Sequence, residues 1–233
     1  MHLRRLACGA WIIGLLAVYG TAWAQSAAPE KAPRADILPP VIPIFPLEDA
    51  TLFPNASRPF HIFEPRYRSM VADALKGDRI IGMVTLKPGY EANYDGRPPI
   101  FAIGCAGVIT DAEELSDGRF DIVLRGVVKF RITGEDQGRP YRLAHVDVMP
   151  EALVDAEMVA LHAQRQQLEV LVTKPGSGST IPREIPDEEV VNALAEYVAL
   201  DPPGRQALLE LKGALARSQA LIKLLEPTGT PPR

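Results

Sequence analysis

The sequence predicts an α+β protein, with a β-rich part over residues 39–150 followed by a helical part over residues 151–228. Two periods carry the prediction. Phe120, Ile122, Leu124, Val128, Phe130 and Ile132 recur on even positions, the alternation of a strand with one buried face. Beyond Pro150 the apolar residues recur instead at three- and four-residue spacing, as on an amphipathic helix. Pro150 is where one period gives way to the other.

Val41 to Phe45 is a short apolar, β-branched run punctuated by Pro43 and Pro46, which suits an edge or opening strand. The chain turns through Glu48 to Ala50, rises again at Thr51 to Phe53, turns at Pro54 to Ser57 and enters a second strand, Phe60 to Phe63. Glu64-Pro65-Arg66-Tyr67 then opens a helix. Proline costs nothing at a first helical position, whose N–H has no partner within the helix, and Glu64 stands where an acceptor meets free amides. Met70, Val71, Ala74 and Leu75 form its apolar face, and Gly77-Asp78 ends it.

Ile80 to Leu86 reads as a strand, and Pro88 to Pro99 as a polar loop whose Tyr90 and Tyr94 pack back onto the β-part. Phe101, Ile103, Cys105 and Ile109 alternate, with Gly104 and Gly107 permitting close approach or a bulge, and Cys105 reads as a small buried side chain. Asp117-Gly118 is a hairpin turn. In the strand beyond it, Arg119, Asp121, Arg125, Lys129 and Arg131 line the face opposite the apolar one, read as solvated. Tyr141 to Met149 supplies another strand. Three helices follow. The first carries Val154, Met158, Leu161, Leu168 and Val172; the second carries Val190, Val191, Leu194, Tyr197 and Val198 and ends at Pro202-Pro203; the last carries Leu208, Leu211, Leu215, Ile222 and Leu225.

Phe45-Pro46-Leu47, then Leu52-Phe53-Pro54-Asn55, then Ile62-Phe63-Glu64-Pro65-Arg66-Tyr67 stand in an ordered series. It continues through Ile81-Gly82-Met83-Val84, the Ile103 to Ile109 run with Gly104 and Gly107, Leu115 to Phe120 with Gly118, and Leu124 to Ile132 with Gly126. From Pro39 to Glu226 this series closely resembles the substrate-binding N-terminal domain of the Lon, or ATP-dependent protease La, family. The resemblance implies a PUA-like β-barrel-like domain joined to an α-helical subdomain. It also implies a structural role for Pro46, Phe53, Pro54, Phe63, Glu64, Pro65, Arg66, Tyr67 and the five glycines Gly82, Gly104, Gly107, Gly118 and Gly126. No separate ATPase or protease domain fits after it, so the expectation is the binding domain as a stand-alone protein.

The first residues read as an address. Arg4 and Arg5 precede the apolar stretch Leu6 to Ala22, and Ala22-Trp23-Ala24 has the small-x-small form of a signal-peptidase site, placing a mature start near Gln25. The expected location is periplasmic, with an N-terminally retained membrane anchor as the alternative and no stable membrane insertion once the signal is cleaved. Residues 25–38, rich in Ala, Pro and charge, read as a disordered leader, and 229–233 as a flexible tail.

Removing residues 1–24 takes Arg4 and Arg5 and no acid, so 25 basic and 29 acidic residues become 23 and 29, a net charge of −6. That balance lacks the basic footprint of a nucleic-acid binder. Cys105 is then the one remaining cysteine, which excludes an intramolecular disulfide.

No catalytic motif accompanies the resemblance. No serine sits in a G-x-S-x-G elbow, no H-E-x-x-H is present, and Lys174 to Thr180 is Gly-rich without the order of a P-loop. A site from His61 and His145 requires them to meet in space with Glu64 or Asp147. The expectation is therefore a non-catalytic protein- or peptide-binding module with no cofactor and no metal. Its partners would be unfolded or partly folded protein segments, taken in a groove between the β-part and the helices. The alternatives are an adaptor for one envelope protein and an unrecognised hydrolase.

Overall fold

In the computed structural model the described residues are 38–90, 96–173 and 181–226. The order is β1 (Val41–Leu47), β2 (Ser57–Ile62), α1 (Pro65–Lys76), β3 (Ile80–Thr85), β4 (Ile103–Glu114), β5 (Phe120–Asp136), β6 (Arg142–Met149), α2 (Asp155–Val172), α3 (Asp187–Tyr197), α4 (Pro202–Glu210) and α5 (Gly213–Leu225). The signal, the leader up to residue 37, Tyr94, the Lys174–Thr180 segment and the tail lie outside the described residues.

The strands form one mixed sheet in the order β2-β5-β4-β3-β1-β6, and a further β5–β6 pairing closes a ring. Only β1–β3 is parallel; the other pairings are antiparallel. Besides its pairing with β4, β5 is long enough to serve two further partners, β2 along Phe120–Arg125 and β6 along Lys129–Asp136.

β1 is not an edge strand. Val41–Ile44 pair with β6 and Ile44–Leu47 pair with β3. The prolines are tolerated because the two ladders overlap only at Ile44: Pro43 lies outside the β3 ladder and Pro46 outside the β6 ladder, so each has a flank that asks no N–H of it.

Two apolar clusters hold the fold. One consists of strand residues alone, among them Ile42, Ile44, Val84, Ala106, Val128 and Phe130. The other joins the strands to every helix and includes Phe53, Tyr67, Met70, Ile109, Leu124, Leu161, Val191 and Leu221. β5 contributes to both because its register with β4 shifts by one residue at Gly126–Val128 opposite Ala106–Gly107. That bulge sends Leu124 and Val128 into different clusters although both lie on even positions.

Close approach explains several glycines. A Cβ at Gly82, Gly104, Gly107 or Gly126 would meet other heavy atoms at 2.8, 2.4, 2.6 or 2.0 Å. Gly118 instead supplies a φ of +77° to the β4–β5 turn, where its N–H donates to Leu115 O at 2.8 Å.

The helical part departs from expectation in three ways. Val154, Met158, Val172 and Tyr197 are exposed, while Arg165, Asn192 and Glu196 take buried places. The expected last helix is two, α4 and α5, broken at Leu211–Lys212 where Gly213 has a φ of +79°. Pro202-Pro203 also opens α4, occupying its first positions while Asp201 accepts from Gly204 N at 2.9 Å as the N-cap.

Lys129 corrects the expectation of a solvated strand face. It is 3% exposed, and its Nζ donates to Leu209 O and Leu211 O at the end of α4 and pairs with Glu151 at 2.6 Å. α4 and the turn after it cover that face; Arg119 and Arg131 remain exposed as expected.

Candidate functional site

The segment from Pro54 to Tyr67 builds one border of the sheet. Asn55, with a φ of +62°, turns the chain so that its N–H donates to Gly126 O at 2.9 Å. Gly126 N returns a bond to Ala56 O at 2.8 Å. This exchange sets the alternation of the β2–β5 ladder: Arg58, Phe60 and Ile62 turn their amides toward β5, and Ser57, Pro59 and His61 turn theirs away. Pro59 thus sits where its missing N–H breaks no ladder bond.

Among the described residues β2 pairs with β5 alone, so its other edge is open. It offers the N–H groups of Ser57 and His61 and the carbonyls of Ser57, Pro59 and His61. Beside it lies a groove of about 720 Å3 lined by residues that include Leu47, Asp49, Arg58, Pro59 and Phe60. Phe60 packs edge-on to Phe45 with centroids 5.7 Å apart, and Phe45 lies 4.6 Å from Tyr67. Phe63, just past β2, is 61% exposed and stacks with His61 at 6.4 Å. An open strand edge flanked by exposed aromatic surface suits an extended chain that adds backbone bonds and fills alternate side-chain positions.

The residues expected to be structural have distinct places here. Pro46, Phe53, Pro54 and Tyr67 are buried, whereas Phe63 faces solvent. Pro65 begins α1, but the Glu64 carboxylate accepts from Arg66 Nε at 2.9 Å instead of capping the helix amides. Arg66 in turn lies 4.6 Å over the Tyr67 ring.

The cleft between strands and helices, where a peptide groove was expected, is lined by apolar residues such as Val127, Met149, Leu153 and Leu215 as well as by charges. It has a volume of about 450 Å3 and is bordered by Lys129, Glu151, Glu188, Glu210 and Lys212. Burial, then the charge of Glu151, raises the pKa of Glu188. Behind the lining residues Glu151 and Asn192, Arg217, with no exposure, donates to Glu151 Oε1 at 3.0 Å, to Leu208 O at 3.1 Å and to Asn192 Oδ1, and lies 5.2 Å over the Phe53 ring. Asn192 donates onward to Pro54 O at 2.8 Å. This network ties the β1–β2 loop to α3, α4 and α5, which gives the cleft a structural task.

Catalytic groups do not converge. Among the described residues His61 bonds Asp121 at 2.6 Å and His145 bonds Asp136 at 3.1 Å, and neither bonds Glu64 or Asp147. Burial drives the Cys105 thiol far above its ordinary range, with Glu151 adding to the effect. Among the described residues no group of three metal-ligating side chains is found, and no helix is long and apolar enough to cross a membrane.

One carboxylate stands out beneath β2. Glu196 of α3 is buried, its oxygens have no hydrogen-bond partner, and Arg58 lies 3.6 Å away. Burial pushes its pKa up to about 7 from 4.5, against the opposing charge of Arg58. Between these values the folded chain holds a proton that the unfolded chain has lost, so stability falls as pH rises from 4.5 to 7. The loss is at most on the order of 3 kcal/mol. Urea unfolding across this range should show the decline, and Glu196→Gln should flatten it; an unchanged slope in the variant would assign the pH dependence to other groups.

Sequence reasoning found the Phe63–Tyr67 turn but missed Glu151, Asn192, Glu196 and Arg217. Their hydrogen-bond and ion-pair partners lie 22 to 138 positions away, except for the Arg217–Leu208 bond, so no local pattern announces them.

The description "ATP-dependent protease La (LON) substrate-binding domain" matches residues 41–227. Lon protease 2 of Myxococcus xanthus is 23% identical over 206 residues, covering 85% of this chain and 25% of that protein. The chain spans about a quarter of the length of the curated relatives it matches, with 25%, 25% and 26% of three of them covered. Only the N-terminal substrate-binding region is matched, not the ATPase or protease domains. The N-terminal domain of Mycobacterium avium complex Lon protease superposes with a TM-score of 0.63 at 15% identity, covering 81% of this chain and 99% of that one. A Lon N-terminal domain protein from Xanthomonas campestris gives 0.55 at 22% identity, covering 78% and 97%. These structures share the α+β fold, and the match across residues 41–227 places the chain in the Lon substrate-binding domain family.

Proposed function

We propose that this chain is a non-catalytic polypeptide-binding module that takes unfolded or exposed segments in extended form along the open edge of β2. The observation that carries the reading is that edge itself, flanked by Phe60, Phe63 and a groove of about 720 Å3, in a chain of a substrate-binding family. The edge supplies backbone bonding, which is indifferent to sequence, and the groove supplies contacts for alternate side chains.

The test is equilibrium binding to a client held unfolded, such as reduced and carboxymethylated lactalbumin, against the same client folded. At least about tenfold tighter binding to the unfolded form is expected. No preference for any unfolded client would reject the reading, as would client-dependent ATP turnover or cleavage by the purified chain.

The module is proposed to work in the periplasm after export. The support is the Arg4-Arg5 start, the Leu6–Ala22 apolar stretch and Ala22-Trp23-Ala24. N-terminal sequencing of the fractionated product should find a start near Gln25 in the periplasmic fraction. An intact Met1 in the cytoplasmic fraction would contradict export.

A further inference from the structure

A third cavity, of about 300 Å3, opens where the end of β1, the first turn of α1, the segment before residue 100 and the β5–β6 turn meet. Among the described residues, Arg66, Arg97, Arg139 and Arg142 line it and no acidic residue does. Arg97 and Arg142 share one carboxylate, Glu135, which stands 3.8 Å from each. That separation is longer than a charge-assisted hydrogen bond, and one carboxylate cannot neutralise two guanidiniums. Arg142 is buried, with 8% side-chain exposure, and is held in place by donating to Pro98 O at 2.7 Å. Burial lowers its pKa; Glu135 opposes that change, while Arg97 and Arg66 reinforce it. Arg66 is paired with Glu64 at 2.9 Å, so among the described groups it is Arg97 and Arg142 that share a single carboxylate. Arg139 is better compensated, by Asp73 at 3.2 Å, and Pro46 and Leu86 give the cavity an apolar wall.

We propose that this cavity receives a carboxylate of the bound polypeptide, held by Arg97 and Arg142 with the adjoining aliphatic group against Pro46 and Leu86. The inference rests on the polypeptide-binding reading and adds a chemical preference to it. Planar guanidiniums suit a planar carboxylate, and a partly desolvated pair discriminates strongly between a charged oxygen and a neutral amide. Pro46 borders this cavity and Leu47 borders the groove beside β2, so consecutive residues of β1 serve both. The carboxylate comes either from a chain terminus or from an acidic side chain.

The test is an NMR titration of the full chain with three small probes. N-acetyl-leucine carries a terminal carboxylate, N-acetyl-leucinamide carries none, and N-acetyl-isoglutamine carries only a side-chain carboxylate. At least one acid should bind roughly tenfold or more tightly than the neutral amide, shifting resonances around Arg97 and Arg142. The acid that binds identifies the source. Arg97→Gln, at a partly exposed position, should reduce that acid to the level of the amide, whereas Arg119→Gln on the exposed hairpin should leave the preference intact. Equal binding of acids and amide, no shift with either acid, or a preference that survives Arg97→Gln overturns the inference. Clients that bind while neither acid does overturn the carboxylate site and leave the polypeptide-binding reading standing; an acid that binds in the absence of any preference for unfolded clients has the reverse effect.

Discussion

Glu151→Gln should destabilise the chain by about 3–5 kcal/mol, seen as a lower urea midpoint with little change in the slope of the transition. Glu151 accepts from Lys129 at 2.6 Å and from Arg217 at 3.0 Å, and takes the N–H of Gly213 at 3.2 Å at the start of α5. Lys129 is 3% exposed and Arg217 not at all, so neither cation has solvent to turn to when the carboxylate is lost. Neutralising one member leaves buried charge uncompensated, which costs more than the intact network contributes over an apolar substitute. The exposed pair Arg119–Asp117, at 2.6 Å, is the control. Breaking it by Asp117→Asn should move the urea midpoint far less, since solvent screens an exposed pair. Equal effects at the two sites would show that the network does not bind the helices to the strands.

Gly126→Ala should cost about 3 kcal/mol or prevent folding, because the added Cβ would stand 2.0 Å from Phe53 O and 2.8 Å from Phe53 C. Those are backbone atoms, so no rotamer change relieves the overlap. The same glycine exchanges backbone bonds with Asn55 and Ala56, and displacing it disturbs the register of β2 as well as the β4–β5 bulge. Gly138 provides the comparison, since a Cβ there meets nothing within 4 Å. Thermal unfolding of the two alanine variants measures the difference; a small shift for Gly126→Ala would mean that the Phe53 loop yields easily and does not fix the edge of the sheet.

Local pattern made much of the fold legible. The alternation from Phe120 to Ile132 located β5, and Pro65 with Gly77 bracketed α1 closely. Lys129 was grouped with Arg119, Asp121 and Arg125, but the bulge at Gly126–Val128 turns it to the side of Leu124, and nothing nearby in sequence tells that α4, some 80 residues later, covers that side. β1 read as an edge for the same reason: its second partner, β6, arrives about 100 residues further on. The break between α4 and α5 was masked by an apolar stripe that continues through Leu208, Leu211 and Leu215, while Gly213 was the one local sign of it. The candidate site was half visible. The Phe63–Tyr67 turn is a contiguous motif, whereas the open edge of β2 is a property of sheet topology and the arginine cavity is assembled from four separate segments.

The most direct measurement of polypeptide capture at β2 is residue-resolved amide hydrogen exchange with and without an unfolded client. A chain added to the open edge would engage the outward N–H groups of Ser57 and His61, so these two amides should slow by about tenfold or more, together and in proportion to client occupancy. Arg58, Phe60 and Ile62, already turned toward β5, should change less. Client binding that leaves Ser57 and His61 unprotected, or that protects the cleft around Glu151 and Glu188 instead, would contradict the account.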